Sequence, residues 1–173
     1  MISRFNALRY VLPLLAAVSC VHSVNPTPHS KENPIVQLSS AAELESKAIA
    51  DKNVWVVAVV SYENADSKIF EKNFMPQLAP RLAGIAKVGV IDVQDLPADV
   101  MKTDLEDARK KVPHLILFKR VGRAYTNLPT PMDPDGTLHA ASTVPHIKKH
   151  LKDNGWKDGN GYYRKLGLPS EEL

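Results

Sequence analysis

Seven consecutive apolar residues, Val54-Trp55-Val56-Val57-Ala58-Val59-Val60, constrain this chain more than any other stretch. The run lacks polar alternation and is rich in valine, so it reads as a strand covered on both faces. Such strands lie centrally in a parallel or mixed sheet, and a sheet buried on both sides needs helices on both sides. The chain turns polar at Ser61, so the strand delivers that end to the surface.

The flanking sequence supplies the helices. Ile35 to Leu38 is a short strand candidate, after which Ser39 or Ser40 caps a helix AAELESKAIADK with Leu44, Ala48 and Ile49 at helical spacing. From Asn64 to Leu82, Ile69, Phe70, Phe74, Leu78 and Leu82 mark an amphipathic helix interrupted by Pro76 and Pro80. Ile85 to Val93 is the next strand, followed by a helix from about Ala98 to Lys110 and a strand from His114 to Lys119. Val121-Gly122-Arg123 is a hairpin turn into Ala124-Tyr125-Thr126. Asn127 to Ala141, rich in Pro, Asp and Gly, is a long loop. Ser142 or Thr143 then caps a last helix, with Pro145 in its first turn and Val144, Ile147 and Leu151 on its apolar side. Alternating strands and helices make the class α/β, and 173 residues suit one core.

Residues 1–23 differ from the rest. Arg4 and Arg9 stand without an acid in the first ten residues, and an uncharged apolar stretch follows, ending at Val21-His22-Ser23. This is the layout of a cleaved secretory signal peptide, its apolar stretch too short to cross a bilayer as a helix. The alternatives are an uncleaved anchor, a mitochondrial presequence, or a lipoprotein leader at Ala17-Val18-Ser19-Cys20. Residues 24–33 form a flexible Pro- and Asn-rich approach, and no stable membrane span is expected after cleavage. Removing residues 1–23 takes away two of the 22 basic side chains and none of the 19 acidic ones, leaving a net charge of +1. Near-neutral charge argues against a nucleic-acid binder. The single cysteine, Cys20, lies in the leader, so the cleaved chain has no thiol for a disulfide.

Across about residues 34–154 the chain resembles the thioredoxin-like domain of protein disulfide isomerases. Three places carry the likeness: VWVVAVVSYENADSK, residues 54–68; LAPRLAGIAKVGVIDV, residues 78–93; and Lys111-Val112-Pro113-His114-Leu115-Ile116-Leu117-Phe118. The first is similar to the family's central strand and active-site turn, where two cysteines separated by two residues precede a lysine. The third is similar to the approach to the strand that begins after the family's cis-proline. The resemblance implies a central mixed β-sheet flanked by helices, with residues 127–141 an inserted loop and residues 155–173 a C-terminal tail.

Matching Lys68 to the family's lysine puts Asn64 and Ser67 at the cysteine positions, and Ala58 where many catalytic members bury a glutamate. In redox-active members the helix N-terminus lowers a thiol pKa. Neither Asn64 nor Ser67 supports thiol chemistry. Asn64 is instead a strong helix N-cap, and Asp66 suits the positive end of the helix dipole. By the same resemblance Val112-Pro113 presents main chain beside the Tyr62 to Ser67 turn, where an extended peptide could pair by strand addition. Ser67 as a hydroxyl nucleophile lacks a positioned base. His146 and His150 lack a third metal ligand, and Asp133-Pro134-Asp135-Gly136 lacks the later acids of a calcium loop.

Trp156, Tyr162 and Tyr163 of the tail either anchor an interface or fold back on the domain. Ser170-Glu171-Glu172-Leu173 is similar to a lumenal retrieval signal. The expectation is a redox-inactive protein of the endoplasmic reticulum lumen or secreted, not an enzyme. It would bind a polypeptide client or protein complex through Tyr62, Asn64, Ser67, Val112 and Pro113, with no cofactor and no metal implied. The alternative is a structural or accessory subunit of a larger enzyme or membrane complex, held through the loop and the aromatic tail.

Overall fold

The computed structural model describes residues 32–101, 105–129, 139–154 and 157–169. The expected flexible approach up to residue 31, the leader, most of the inserted loop, Trp156 and the terminal tetrapeptide lie outside the described residues.

Strand β2, Trp55–Val60, is the middle of a five-stranded sheet with β1, Ile35–Leu38, β3, Lys87–Asp92, β4, His114–Phe118, and β5, Thr126–Leu128, in the order β1-β3-β2-β4-β5. β1, β3 and β2 run parallel, while β4 is antiparallel to β2 and β5 antiparallel to β4. The apolar run explains the position of β2, because all six of its residues are buried. Val54, Val56, Ala58 and Val60 face one side, and Trp55, Val57 and Val59 face the other. Burying each valine stabilises the fold by about 1.5 kcal/mol or more relative to exposure, before conformational entropy is charged.

The second of these faces is covered by helix α1, residues 41–49, and by α3, Leu105–Arg109, with Leu44, Ala48, Ile49 and Ala108. The first is covered by α2, residues 65–81, and by α4, Ala140–His150, through Phe70, Phe74, Met75, Leu78 and Ile147, with Leu151 just beyond. α1 begins at Ala41–Glu43 and widens into a π-helical stretch, Leu44–Ile49. Its N-cap is Ser40, whose side chain accepts the Glu43 N–H, while the Glu43 carboxylate accepts from the Ser39 N–H and hydroxyl.

Gly89 of β3 leaves room for side chains from both neighbouring strands: a Cβ there would lie 3.1 Å from Leu38 Cδ1 of β1 and 3.4 Å from Trp55 Cζ3 of β2. The Trp55 indole in turn donates to Asp51 Oδ2 at 3.0 Å, and the Lys87 ammonium reaches the same oxygen at 2.6 Å. Burial pushes the Asp51 carboxyl up, but Lys87, the Asn53 N–H and Trp55 outweigh it and hold the group below its usual range.

Four expectations need correction. The prolines do not interrupt α2, which continues as Ala65–Ile69, Phe70–Phe74 and Met75–Arg81. The turn before Pro76 widens, so that the Met75 N–H reaches Phe70 O; Pro76, which has no N–H to donate, follows at once. The last helix starts at Ala140 with His139 as N-cap, and Ser142 and Thr143 bond back to His139 O from inside the first turn. Of the inserted loop, Asn127 and Leu128 belong to β5, and Ala140 and Ala141 to α4. Asn33, placed in the flexible approach, is buried and donates to Ala79 O and Ala86 O, both at 3.0 Å.

Candidate functional site

Strand register decides what meets at the surface. Val60 pairs with Asp92 and Val59 with His114, so the residues after β2, the end of β3 and the residues before β4 share one end of the sheet. The Tyr62 to Ser67 turn and Val112-Pro113 are therefore neighbours. The Val112-Pro113 bond is cis.

Each polar residue in the turn has a bonding task. Asn64 is the N-cap of α2, its side-chain oxygen accepting the Asp66 N–H at 2.7 Å and the Ser67 N–H at 3.4 Å. Ser67 is 1% exposed, and its hydroxyl oxygen accepts the Ser61 N–H at 3.0 Å. Asp92 ties the other side, accepting the Tyr62 N–H at 2.9 Å and the Gln94 N–H at 2.8 Å. Sequence reasoning missed Asp92; its only signal was a carboxylate closing the apolar run of β3. The turn is thus held at three points by side chains from two elements.

Tyr62 is the exposed member of the group, 49% accessible, with its hydroxyl donating to Gln37 Oε1 at 3.4 Å. Partial burial and the carboxylates of Glu71, Asp92 and Asp95 push its phenol pKa up, so the ring carries its proton at neutral pH. Ser67 has no histidine or carboxylate bonded to it among the described residues, which removes the base a serine nucleophile needs. Ala58 is buried with Val54, Val56 and Val60 against α2 and α4, a setting that would leave a carboxylate unpaired.

The Val112 side chain belongs to the core cluster of the second sheet face. Its main chain makes no hydrogen bond among the described residues, the ladder with β2 beginning at His114.

Tyr162 and Tyr163 are placed elsewhere. Residues 157–169 fold back across the opposite end of the sheet, where the Val54 N–H donates to Tyr163 O at 2.8 Å and the Tyr163 N–H to Ile85 O at 3.1 Å. The Tyr162 hydroxyl donates to Asn33 Oδ1, and the Lys157 ammonium stands 4.5 Å from the Tyr163 ring centroid. Asn154 fastens the same segment by donating to Lys119 O and Arg164 O.

Lys165, also missed, is 2% exposed and donates to Ala48 O at 2.6 Å and Ile49 O at 2.8 Å, capping the end of α1. Burial pushes its amine down to about 8, with Asp51 opposing. No group of three metal-ligating side chains occurs among the described residues.

No protein-family model matches the chain, and no curated protein does. Solved structures do. The Trx4 domain of ERdj5 is similar over 69% of this chain and 99% of its own, at 18% identity and a TM-score of 0.50. Chloroplastic thioredoxin z is similar over 66% of this chain and 92% of its own, at 19% identity and a TM-score of 0.46. Thioredoxin of Trichomonas vaginalis is similar over 70% and 97%, at 14% identity and a TM-score of 0.40. The sheet order, the helices on both faces and the likeness to the Trx4 domain together establish that this chain has a thioredoxin-like fold.

Proposed function

We propose that this protein is a redox-inactive, disulfide-isomerase-like member of the thioredoxin fold that binds extended polypeptide non-covalently, working in the secretory pathway. The observation that carries the reading is the pairing of two features at one sheet end. The positions matched to the thiols are occupied by groups committed to structure, Asn64 as an N-cap and Ser67 as the partner of Ser61, while Val112 beside them leaves its main chain unbonded among the described residues. An extended peptide would add to that main chain as a strand adds to a sheet edge, with Tyr62 as the exposed aromatic contact. The secretory assignment rests on the signal-like start and on Ser170 to Leu173. No helix among the described residues is long and apolar enough to cross a membrane.

The test is a titration of the leader-free chain with a reduced, alkylated and therefore unfolded polypeptide, followed by amide resonances. Saturable shifts at Tyr62, Asn64, Ser67 and Val112 support the reading. Shifts confined to other surfaces, or none, end it. In parallel, insulin reduction should stay at the uncatalysed rate; turnover above background defeats the redox-inactive half of the proposal.

A further inference from the structure

On the sheet face opposite α2 lies a cavity of about 100 Å³ whose lining includes the aliphatic Val59, Leu96, Ala108 and Ile116 and the polar Lys111, His114 and Asn127. It is a different site from the Val112 main chain, and a ligand in it requires no peptide there. Three features limit what fits. The first is size and lining: an engineered apolar cavity of about 150 Å³ holds benzene, so this smaller space takes a body of about four carbons. Val59, Leu96, Ala108 and Ile116 give that body an aliphatic wall.

The second is an unmet hydrogen bond. His114 Nδ1 is buried with no partner, whereas buried polar atoms are nearly always bonded. Burial pushes the ring's pKa down, the charge of Lys111 adding to the effect and the Lys111 main chain opposing it, so the imidazole is neutral at pH 7. The third is charge. Lys111 is exposed and has no ion pair among the described residues.

We propose that this cavity binds a small branched aliphatic carboxylate, its hydrocarbon body against Val59, Leu96, Ala108 and Ile116 and its carboxyl group between Lys111 and His114 Nδ1. A carboxyl group satisfies that nitrogen whichever partner carries the proton: a carboxylate accepts from Nδ1–H, and a carboxylic acid donates to bare Nδ1. A neutral amide of the same shape would also bond the imidazole but would leave the Lys111 charge unanswered. That difference separates a built anion site from a merely greasy hole.

The experiment is an NMR titration of the leader-free chain with 3-methylbutanoate at pH 7, with 3-methylbutanamide and acetate as controls. Saturable shifts at His114 and Ile116, at millimolar ligand and at least about threefold tighter for the acid than for either control, are expected for a ligand this small. Lys111→Gln, at an exposed position, should bring the acid to the level of the amide. Ala108→Leu, which fills the cavity, should abolish binding of acid and amide alike. The proposal fails if acid and amide bind within threefold of each other, if nothing saturates by about 50 mM, or if Lys111→Gln leaves the acid's advantage intact. The surface variant keeps the test decisive should Ala108→Leu not fold.

Discussion

The Ser67 hydroxyl oxygen accepts the main-chain N–H of Ser61 at 3.0 Å, closing the six-residue step from the end of β2 to the first turn of α2. Ser67 is therefore the clasp of the turn. Both residues are buried, so the bond is shielded from competing water.

Ser67→Ala should cost about 1–3 kcal/mol, because it strands the Ser61 N–H without an acceptor. Urea denaturation midpoints measure it. A loss below about 0.5 kcal/mol would show that another acceptor or water serves Ser61 equally well.

Asn64→Ala removes the acceptor for two N–H groups at the start of α2 and should cost about 1 kcal/mol. Asn64→Asp keeps an acceptor and places a negative charge at the positive end of the helix, so its thermal midpoint should stay close to the parent's. Equal losses for the two variants would mean that capping is not what Asn64 contributes.

Lys165 predicts an alkaline signature. Its amine is lowered from 10.5 to about 8 in the folded chain, so between these values the unfolded chain binds more protons than the folded one. This group's contribution to stability therefore rises with pH across that window and is at its least favourable below about 8. The stability difference between the parent and Lys165→Met should shift in the parent's favour from pH 7 to pH 10. A pH-independent difference would show that the buried amine titrates like a free one.

Gly89→Ala should destabilise by about 1–3 kcal/mol, since the new methyl group meets Leu38 Cδ1 closer than relaxed packing allows. Gly89→Ala combined with Leu38→Val, which shortens one neighbour, should recover part of the loss. Additive losses in the double variant would point to the strand backbone rather than to side-chain crowding.

Much of the fold was legible because its signals are local. Seven apolar residues in a row fixed β2 as a two-faced central strand, and Asn64 announced a helix start through a side-chain oxygen placed to meet an N–H two residues on; for α1 the sequence offered Ser39 or Ser40, and Ser40 is the cap. The start of α4 was misplaced by the same logic: Ser142 and Thr143 have capping chemistry, yet their hydroxyls bond back to His139 O inside the turn, as serine and threonine do within helices. The path of α2 past Pro76 was missed because proline's lost donor can be accommodated by widening one turn as well as by ending the helix.

The sequence by itself determined the α/β class, the burial of β2 and the absence of thiols after Cys20, since each follows from residue type and short-range spacing. Only the tertiary structure decided that Lys165 would end the helix that finishes at Ile49 and that Asn33 would bridge Ala79 and Ala86. The physical reason is separation along the chain. Lys165 and Ala48 are 117 residues apart, and a lone lysine carries no mark of the carbonyl it will meet until the sheet has brought the two ends together.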